Sequence, residues 1–146
     1  MNRNRCYICY ELINDKSHFH PTCVKKLFGT RELPDFDFSN KKIEAMAVEL
    51  VKQKKGIPGV QKKLSLTLTK ADENHHKRLT IVGYLDGDYI LKPPSPDYPF
   101  MPEIEDLTMH LAEIAKLKVA LHGLLPMQGG KLAYITTRFD RKKKKK

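Results

Sequence analysis

The sequence contains no tryptophan, only three cysteines and no long apolar run. A membrane-spanning helix needs about 20 consecutive apolar residues, so we expect no span and no membrane partner. The first five residues lead straight into a cysteine motif and lack the apolar core of a signal peptide, so we expect a soluble, cytoplasmic protein. Three cysteines, all within the first 23 residues, cannot all pair in disulfides, which makes a metal site the better explanation for them.

Positive charge is abundant, but it is concentrated at one end. The net charge is +10, and the six basic residues at 141–146 supply six of these charges, which leaves +4. Such a tail has no apolar residue to bury, so we predict a solvated end. The remaining basic residues are not interleaved with aromatic side chains, so nucleic acid is the less favoured partner.

The composition predicts one compact unit with appendages. Hydrophobic residues make up 40% of the chain, which is too many for a disordered protein of this length. We divide the chain into a cysteine-rich segment (1–30), a folded domain (31–140) and a lysine-rich tail (141–146).

The cysteine-rich segment carries two close pairs of metal-ligating residues, C-x-x-C and H-x-x-C. These are Cys6 with Cys9, and His20 with Cys23. Three thiolates and one imidazole can close a tetrahedron around zinc, and four protein ligands leave no open position, so such a zinc would be structural. His18 is the rival fourth ligand. The alternative is that the cysteines are reduced and pack as small apolar residues.

Hydrophobic periodicity predicts a mixed α and β domain. Residues 39–54 form an amphipathic helix, and residues 64–69, 79–84 and 88–92 form strands, the last two joined in a tight hairpin by Asp86-Gly87. A proline-rich connection precedes a second helix that begins at Pro102. Its apolar residues repeat at helical spacing, and they are Ile104, Leu107, Leu111 and Ile114. Two further strands, 119–127 and 131–139, flank a Gly129-Gly130 turn.

Two features fit nucleotide binding. A glycine-containing segment directly before a strand can present backbone N–H groups to phosphate oxygens; its residues are Pro58, Gly59, Val60, Gln61, Lys62 and Lys63. Lys92 ends a strand and Glu105 follows on the next helix, as in kinases, where a carboxylate holds the phosphate-binding lysine. The alternatives are an ordinary helix-to-strand turn and unrelated surface charges. Glu103 could substitute for Glu105.

In their order and spacing, these pieces resemble the HipA kinase family, and specifically its short-headed members that begin with a cysteine-rich knuckle. The resemblance rests on the knuckle and on the strings KKLFG, PGVQ-x-KLS, YILKP, PE-x-E, LTM-x-LA and RFDR, and it spans nearly the whole chain. It implies an α+β fold in which a zinc-knuckle head precedes a kinase-like amino lobe with an antiparallel sheet of about five strands and two helices.

The resemblance also implies site roles. Residues 58–63 become the phosphate loop, Lys92 the phosphate-binding lysine and Glu105 its partner, while main-chain atoms of Thr137, Arg138 and Phe139 hydrogen-bond adenine. ATP and Mg²⁺ are the cofactors expected for the full-length kinase, beside structural zinc. The family's catalytic and metal-binding aspartates lie in a carboxy-terminal lobe beyond this sequence, so none of these residues is assigned a catalytic role. Asp140 belongs to the hinge motif.

The implied function is the amino-terminal, nucleotide-binding portion of a serine/threonine kinase toxin of a bacterial toxin–antitoxin system, inactive alone. Its expected partners are the carboxy-terminal lobe, an antitoxin and a second copy of itself, and the implied targets belong to the translation apparatus. In one respect the chain departs from the family: Gly56 stands where members often carry an inhibitory autophosphorylated serine. The competing function is a zinc-knuckle binding module that docks on nucleic acid or a protein.

Overall fold

The computed structural model describes residues 4–14, 16–36, 39, 41–43, 45–46, 62–71, 76–82 and 86–140. Four residues of the predicted phosphate loop, Pro58 to Gln61, lie outside this set, as do the lysine tail and most of the predicted helix 39–54. Residues 41–43 and 45–46 of that helix are described and are helical.

Five strands form one antiparallel sheet, which confirms the predicted α+β class. They are β1 (Leu64–Lys70), β2 (Lys77–Val82), β3 (Tyr89–Lys92), β4 (His122–Pro126) and β5 (Leu132–Thr137), in the spatial order β2-β1-β3-β5-β4. Besides the helical residues at 41–43 and 45–46, the described ranges contain two helices with full bounds, α1 (Pro21–Phe28) and α2 (Met101–Ile114). No helix in the described ranges is long and apolar enough to cross a membrane.

The predicted hairpin between β2 and β3 is wrong, because β1 lies between these strands. Leu66 pairs with Ile81 of β2 on one side and with Tyr89 of β3 on the other. Gly87 packs directly onto β1, where a Cβ atom would lie 1.9 Å from Ser65 Oγ and 2.9 Å from the Leu66 nitrogen. The glycine is therefore required for close backbone approach and not for a two-residue turn.

The hairpin between β4 and β5 is confirmed. Leu124 pairs with Tyr134, and the connecting Gly129 and Gly130 have φ values of +84° and +76°. Only glycine adopts this left-handed backbone at low cost, so the sequence signal and the turn agree.

An eight-residue helix, α1, lies in the cysteine-rich segment, where we predicted no helix. Pro21 lies in its first turn, and Gly29 ends it with φ +76° and an N–H donated to the Lys25 carbonyl at 2.9 Å. Proline at the start and glycine just past the end are signals that the sequence contained. The helix buries Val24, Leu27 and Phe28.

The knuckle segment and the sheet share one hydrophobic core. Phe28 packs on Tyr89 with ring centroids 5.5 Å apart, and the Tyr89 hydroxyl donates to the Leu27 carbonyl at 3.1 Å. Burial, with a smaller contribution from Asp88, raises the pKa of Tyr89 to about 12, so it stays a hydrogen-bond donor. This packing fixes the position of the head against β3.

Helix α2 has its polar side toward the sheet. Its buried residues are Pro102 and Asp106, whereas the apolar residues Ile104, Leu107, Leu111 and Ile114 are 49–78% exposed. A helix of a soluble protein normally buries its apolar face. In α2 the apolar face lies in solvent instead of against the sheet, as expected of a surface that binds another part of a protein.

Candidate functional site

A cavity of about 910 Å³ opens beside β3, β5 and helix α2. Six residues that the sequence assigned to nucleotide binding line it, namely Lys63, Lys92, Glu105, Thr137, Arg138 and Phe139. The sequence reasoning missed other lining residues, among them Met109, Lys118 and Tyr134. Residues from five separate segments therefore converge on one cleft.

Lys92 and Glu105 form an ion pair on the wall of this cleft. Lys92 is the last residue of β3, and Glu105 lies near the start of α2, so the strand and the helix meet through these side chains. The Lys92 Nζ atom also lies 5.5 Å from the centroid of the Tyr134 ring, within reach of a cation–π interaction. The partner is thus Glu105 and not Glu103.

Tyr134 forms the apolar part of the same wall. Burial raises the pKa of Tyr134 to about 12, and the nearby Glu105 carboxylate acts in the same direction. The ring is therefore neutral near pH 7 and presents a π-face to the Lys92 ammonium.

The end of β5 forms the opposite edge of the cleft. The Thr137 amide donates to the Leu121 carbonyl and the Arg138 amide donates to the Asp88 carbonyl, both at 2.8 Å. The Arg138 guanidinium binds the Asp140 carboxylate at 2.6 Å, and Phe139 is 90% exposed. Asp140 is therefore engaged by a neighbouring arginine, consistent with its assignment to the hinge motif.

The knuckle brings Cys6, Cys9, His20 and Cys23 together, with one ligating atom from each lying within 4.8 Å of the others. His20 Nδ1 is 3.4 Å from Cys9 Sγ and 3.9 Å from Cys23 Sγ, while its Nε2 atom contacts the Leu12 carbonyl at 3.2 Å. A histidine ligand held through its second nitrogen is typical of metal sites. This cluster could hold a metal ion such as zinc.

His18, the rival ligand, lies outside the cluster. Its ring stacks on Tyr7 with centroids 4.6 Å apart and planes only 4° from parallel. The structure therefore favours His20 as the fourth ligand.

The pKa values of two thiols in this cluster shift in opposite directions. Burial, followed by the neighbouring Cys9 and Cys6 thiols, raises the pKa of Cys23 to about 12. At Cys6 burial acts in the same direction, but hydrogen bonds from the backbone amides of His20, Ile8 and Cys9 outweigh it, and the net effect is to lower the pKa. Several thiolates in one place repel one another, and a bound cation would relieve that repulsion.

Comparison with known proteins shows to which family this chain belongs. Residues 56–146, more than half of the chain, match the family described as the HipA-like C-terminal domain. The chain belongs to the HipA-like family. It is also 32% identical over 139 residues to a protein of Haemophilus influenzae named putative kinase. That alignment covers 92% of the chain but 34% of the relative, so the chain spans about a third of the relative's length.

The HipA-like match begins at residue 56, so it contains the cleft, whereas the cysteines precede it. The predicted resemblance is confirmed at the level of the family. The related protein is named putative kinase, and its alignment covers 92% of this chain, which is more than the HipA-like match covers.

Sequence reasoning missed one further cluster in this HipA-like chain. Asp106, His110 and His122 come within 4.8 Å of one another, and Tyr10 of the knuckle donates to Asp106. Asp106 and His110 are four residues apart on α2, which is a signal that the sequence contained. No local pattern links them to His122, since only the fold places β4 beside that helix.

Proposed function

We propose that this chain is the nucleotide-binding part of a HipA-like serine/threonine protein kinase, the toxin of a bacterial toxin–antitoxin system. The observation that carries the proposal is the Lys92–Glu105 ion pair on the wall of the 910 Å³ cleft. In kinases, a strand lysine held by a helix carboxylate binds nucleotide phosphates. The family match and the kinase name of the relative support the same conclusion.

The cleft offers a separate surface for each part of ATP. Lys92, pre-oriented by Glu105, would bind the phosphates together with Lys63 and the rest of the phosphate loop, residues 58–63. At the other edge, the Thr137 and Arg138 amides already donate to carbonyls of the chain. Adenine would therefore be recognised by the carbonyl oxygens of this segment and by the Phe139 amide.

Phosphoryl transfer requires more than this cleft. Magnesium ligands and a group that orients the attacking hydroxyl are needed beside the phosphate-binding lysine. We place them in a part of the kinase that these 146 residues do not include, which the family resemblance puts in a carboxy-terminal lobe; the chain aligns with 34% of the related putative kinase. The 146 residues alone would then bind ATP weakly and transfer no phosphate. Substrates in the translation apparatus, such as an aminoacyl-tRNA synthetase, and regulation by an antitoxin protein belong to the same proposal.

We assign a structural role to zinc in the knuckle. Cys6, Cys9, His20 and Cys23 would saturate a tetrahedral ion, which leaves no position for substrate. The ion would hold the turn of residues 6–9 against the start of α1, and α1 in turn packs on Tyr89 of β3. Zinc in the head would thus stabilise the strand that ends at Lys92.

Nuclear magnetic resonance of the 146-residue chain tests the nucleotide proposal, because it detects weak binding. Titration with Mg–ATP should shift resonances of Lys92, Glu105, Tyr134 and residues 137–139, and a phosphorylation assay should show no transfer. The Lys92→Met variant should lose these shifts. Lys131→Met, which removes an exposed lysine beside the β4–β5 turn, is the control and should keep them.

Two results would contradict the proposal. Shifts outside the cleft that persist in Lys92→Met would show that ATP does not use this lysine. Robust phosphoryl transfer by the chain alone would show that the catalytic groups lie within these residues.

A further inference from the structure

Three side chains from two elements meet between helix α2 and strand β4, and none of them is among the residues that line the nucleotide cleft. Asp106 and His110 lie one turn apart on α2, and His122 is the first residue of β4. Asp106 is completely buried and His122 is 5% exposed. Buried carboxylates and imidazoles are costly unless they are paired or bind a metal.

The contacts among these groups are close. His122 Nδ1 lies 2.7 Å from Asp106 Oδ1, and His110 Nε2 lies 3.5 Å from Asp106 Oδ2. The two imidazole rings meet edge to face, with centroids 4.7 Å apart. Glu113, one turn further along α2, approaches both rings, at 3.6 Å from His110 Nδ1 and 3.8 Å from His122 Nε2.

One atom in this group lacks a hydrogen bond. Within the described part of the chain, His110 Nε2 is buried and has no hydrogen-bond partner, although it lies 3.5 Å from Asp106 Oδ2. Buried polar atoms are almost always satisfied, and a ring nitrogen without a hydrogen bond beside a buried carboxylate is a position that could accept a ligand. A divalent cation accepts both a ring nitrogen and a carboxylate oxygen as ligands, and a bridging water is the alternative partner for the same two atoms.

The spacing also fits an ion. Ligand atoms of a tetrahedral zinc with bonds of about 2.0–2.1 Å lie roughly 3.3 Å apart. The 3.5 Å between His110 Nε2 and Asp106 Oδ2 is close to this spacing, whereas His122 Nδ1 and Asp106 Oδ1, now 2.7 Å apart, would have to separate on binding. A cavity of about 150 Å³ adjoins the cluster; His110, Glu113 and His122 line it together with Cys9 and Cys23 of the knuckle. It provides room for an ion and a coordinated water.

We propose that Asp106, His110 and His122 form a second metal site, separate from the cysteine knuckle, for a divalent transition metal of the zinc type. Two imidazoles and one carboxylate are a donor set that such ions accept, and three protein ligands leave a position for water. The proton held between His122 Nδ1 and Asp106 Oδ1 leaves to solvent when the metal takes its place. The ion would clamp α2 to β4 beside the head.

Metal stoichiometry tests the proposal without reference to kinase activity. The 146-residue chain, saturated with zinc and freed of excess, should hold two ions. His110→Ala should hold one, since it removes a ligand from the helix and leaves the His122–Asp106 pair in place. Cys9→Ser with Cys23→Ser should also hold one. His76→Ala is the matched control, because His76 also contacts two carboxylates, Glu32 and Asp35, and this variant should keep two.

Cobalt substitution separates the sites. One equivalent should give the strong thiolate charge-transfer absorption of the knuckle, and the other should add only weak ligand-field bands. A wild-type chain that binds a single equivalent with thiolate absorption would overturn the second site, whether or not the variants fold. Loss of thiolate absorption in folded His110→Ala would equally overturn it, because His110 would then belong to the knuckle.

Discussion

Tyr10 donates a hydrogen bond of 2.7 Å from its hydroxyl to Asp106 Oδ2 and so joins the knuckle to helix α2. Tyr10 follows Cys9 of the cysteine cluster, and Asp106 follows Glu105, the partner of Lys92. Burial, followed by the hydrogen bond to Asp106, raises the pKa of Tyr10 above its usual value, so the phenol remains a donor. The head therefore contacts the helix whose Glu105 pairs with Lys92.

Removal of this hydroxyl should destabilise the fold. Tyr10→Phe leaves a fully buried carboxylate with one donor fewer, and hydrogen bonds to charged groups contribute about 1.5–3 kcal/mol. We expect a loss of that size in the free energy of unfolding, measured by urea denaturation. Tyr98→Phe, at a site that is 58% exposed, is the control and should change little. Equal stabilities of Tyr10→Phe and the wild type would show that the contact contributes nothing.

The two histidines of the head should differ in their effect on metal binding. His20→Ala should weaken zinc binding by more than about 100-fold, because loss of an outer-shell contact alone costs about 10–100-fold. His18→Ala should leave the affinity unchanged, since that ring stacks on Tyr7 outside the cluster. Competition with a chromophoric chelator measures both. The reverse order of effects would mean that His18 is the ligand.

The sequence predicted the parts of this molecule that depend on local patterns. The strands around residues 64–69 and 131–139, the helix from Pro102 and the glycine turn at 129–130 all follow from periodicity and backbone preference. The Lys92–Glu105 pairing was suggested by a strand lysine followed by a helix carboxylate and supported by the resemblance, and the structure brings these side chains together.

Features that depend on tertiary packing could not be predicted from the sequence. Asp86-Gly87 has the residues of a tight turn, but only the position of β1 shows that Gly87 serves close packing onto Ser65. The apolar repeat of α2 predicts a buried face, yet the sheet is contacted by the Asp106 side. In both cases the local sequence pattern is present, but a contact between residues far apart in the sequence determines which structural role those residues have.

His76 gives the fold a pH dependence. Its Nε2 atom lies 3.0 Å from Asp35 Oδ1 and its Nδ1 atom 3.3 Å from Glu32 Oε2. The hydrogen bond to Asp35 has the largest effect on His76 and raises its pKa above 6.5. Burial opposes this rise, and the charges of Asp35 and Glu32 add to it. Because the folded-state pKa is the higher one, the protonated ring stabilises the fold below pH 6.5, and this contribution is lost as pH rises through the raised value.

We therefore expect His76→Gln to destabilise the chain at low pH and to match the wild type at high pH. Urea midpoints from about pH 5 to about pH 8 would measure the difference, over the range where histidine titrates. The Asp35 backbone is also bonded to β2 through the Lys77 carbonyl and the Leu79 amide, so the variant should stay folded. A difference that does not vary with pH would show that protonation of His76 is not its cause.

The exposed apolar residues of α2 and the end of β5 should cause self-association. Ile104, Leu107, Leu111 and Ile114 form one helix face in water, and Phe139 is 90% exposed at the mouth of the cleft. A contiguous apolar surface of this kind commonly marks an interface. In the full-length kinase that we propose, another part of the protein would cover it, and in this chain a second copy is the available substitute.

Light scattering at increasing concentration should show growth in mass for the wild type. Leu107→Glu with Leu111→Glu should return the chain to a monomer without loss of stability, because both side chains already lie in solvent and glutamate is a good helix former. Tyr98→Ser removes an exposed apolar side chain outside this face and should not change the association. A wild type that stays monomeric at every concentration would show that this face needs no cover, which would favour a self-contained binding module over part of a larger kinase.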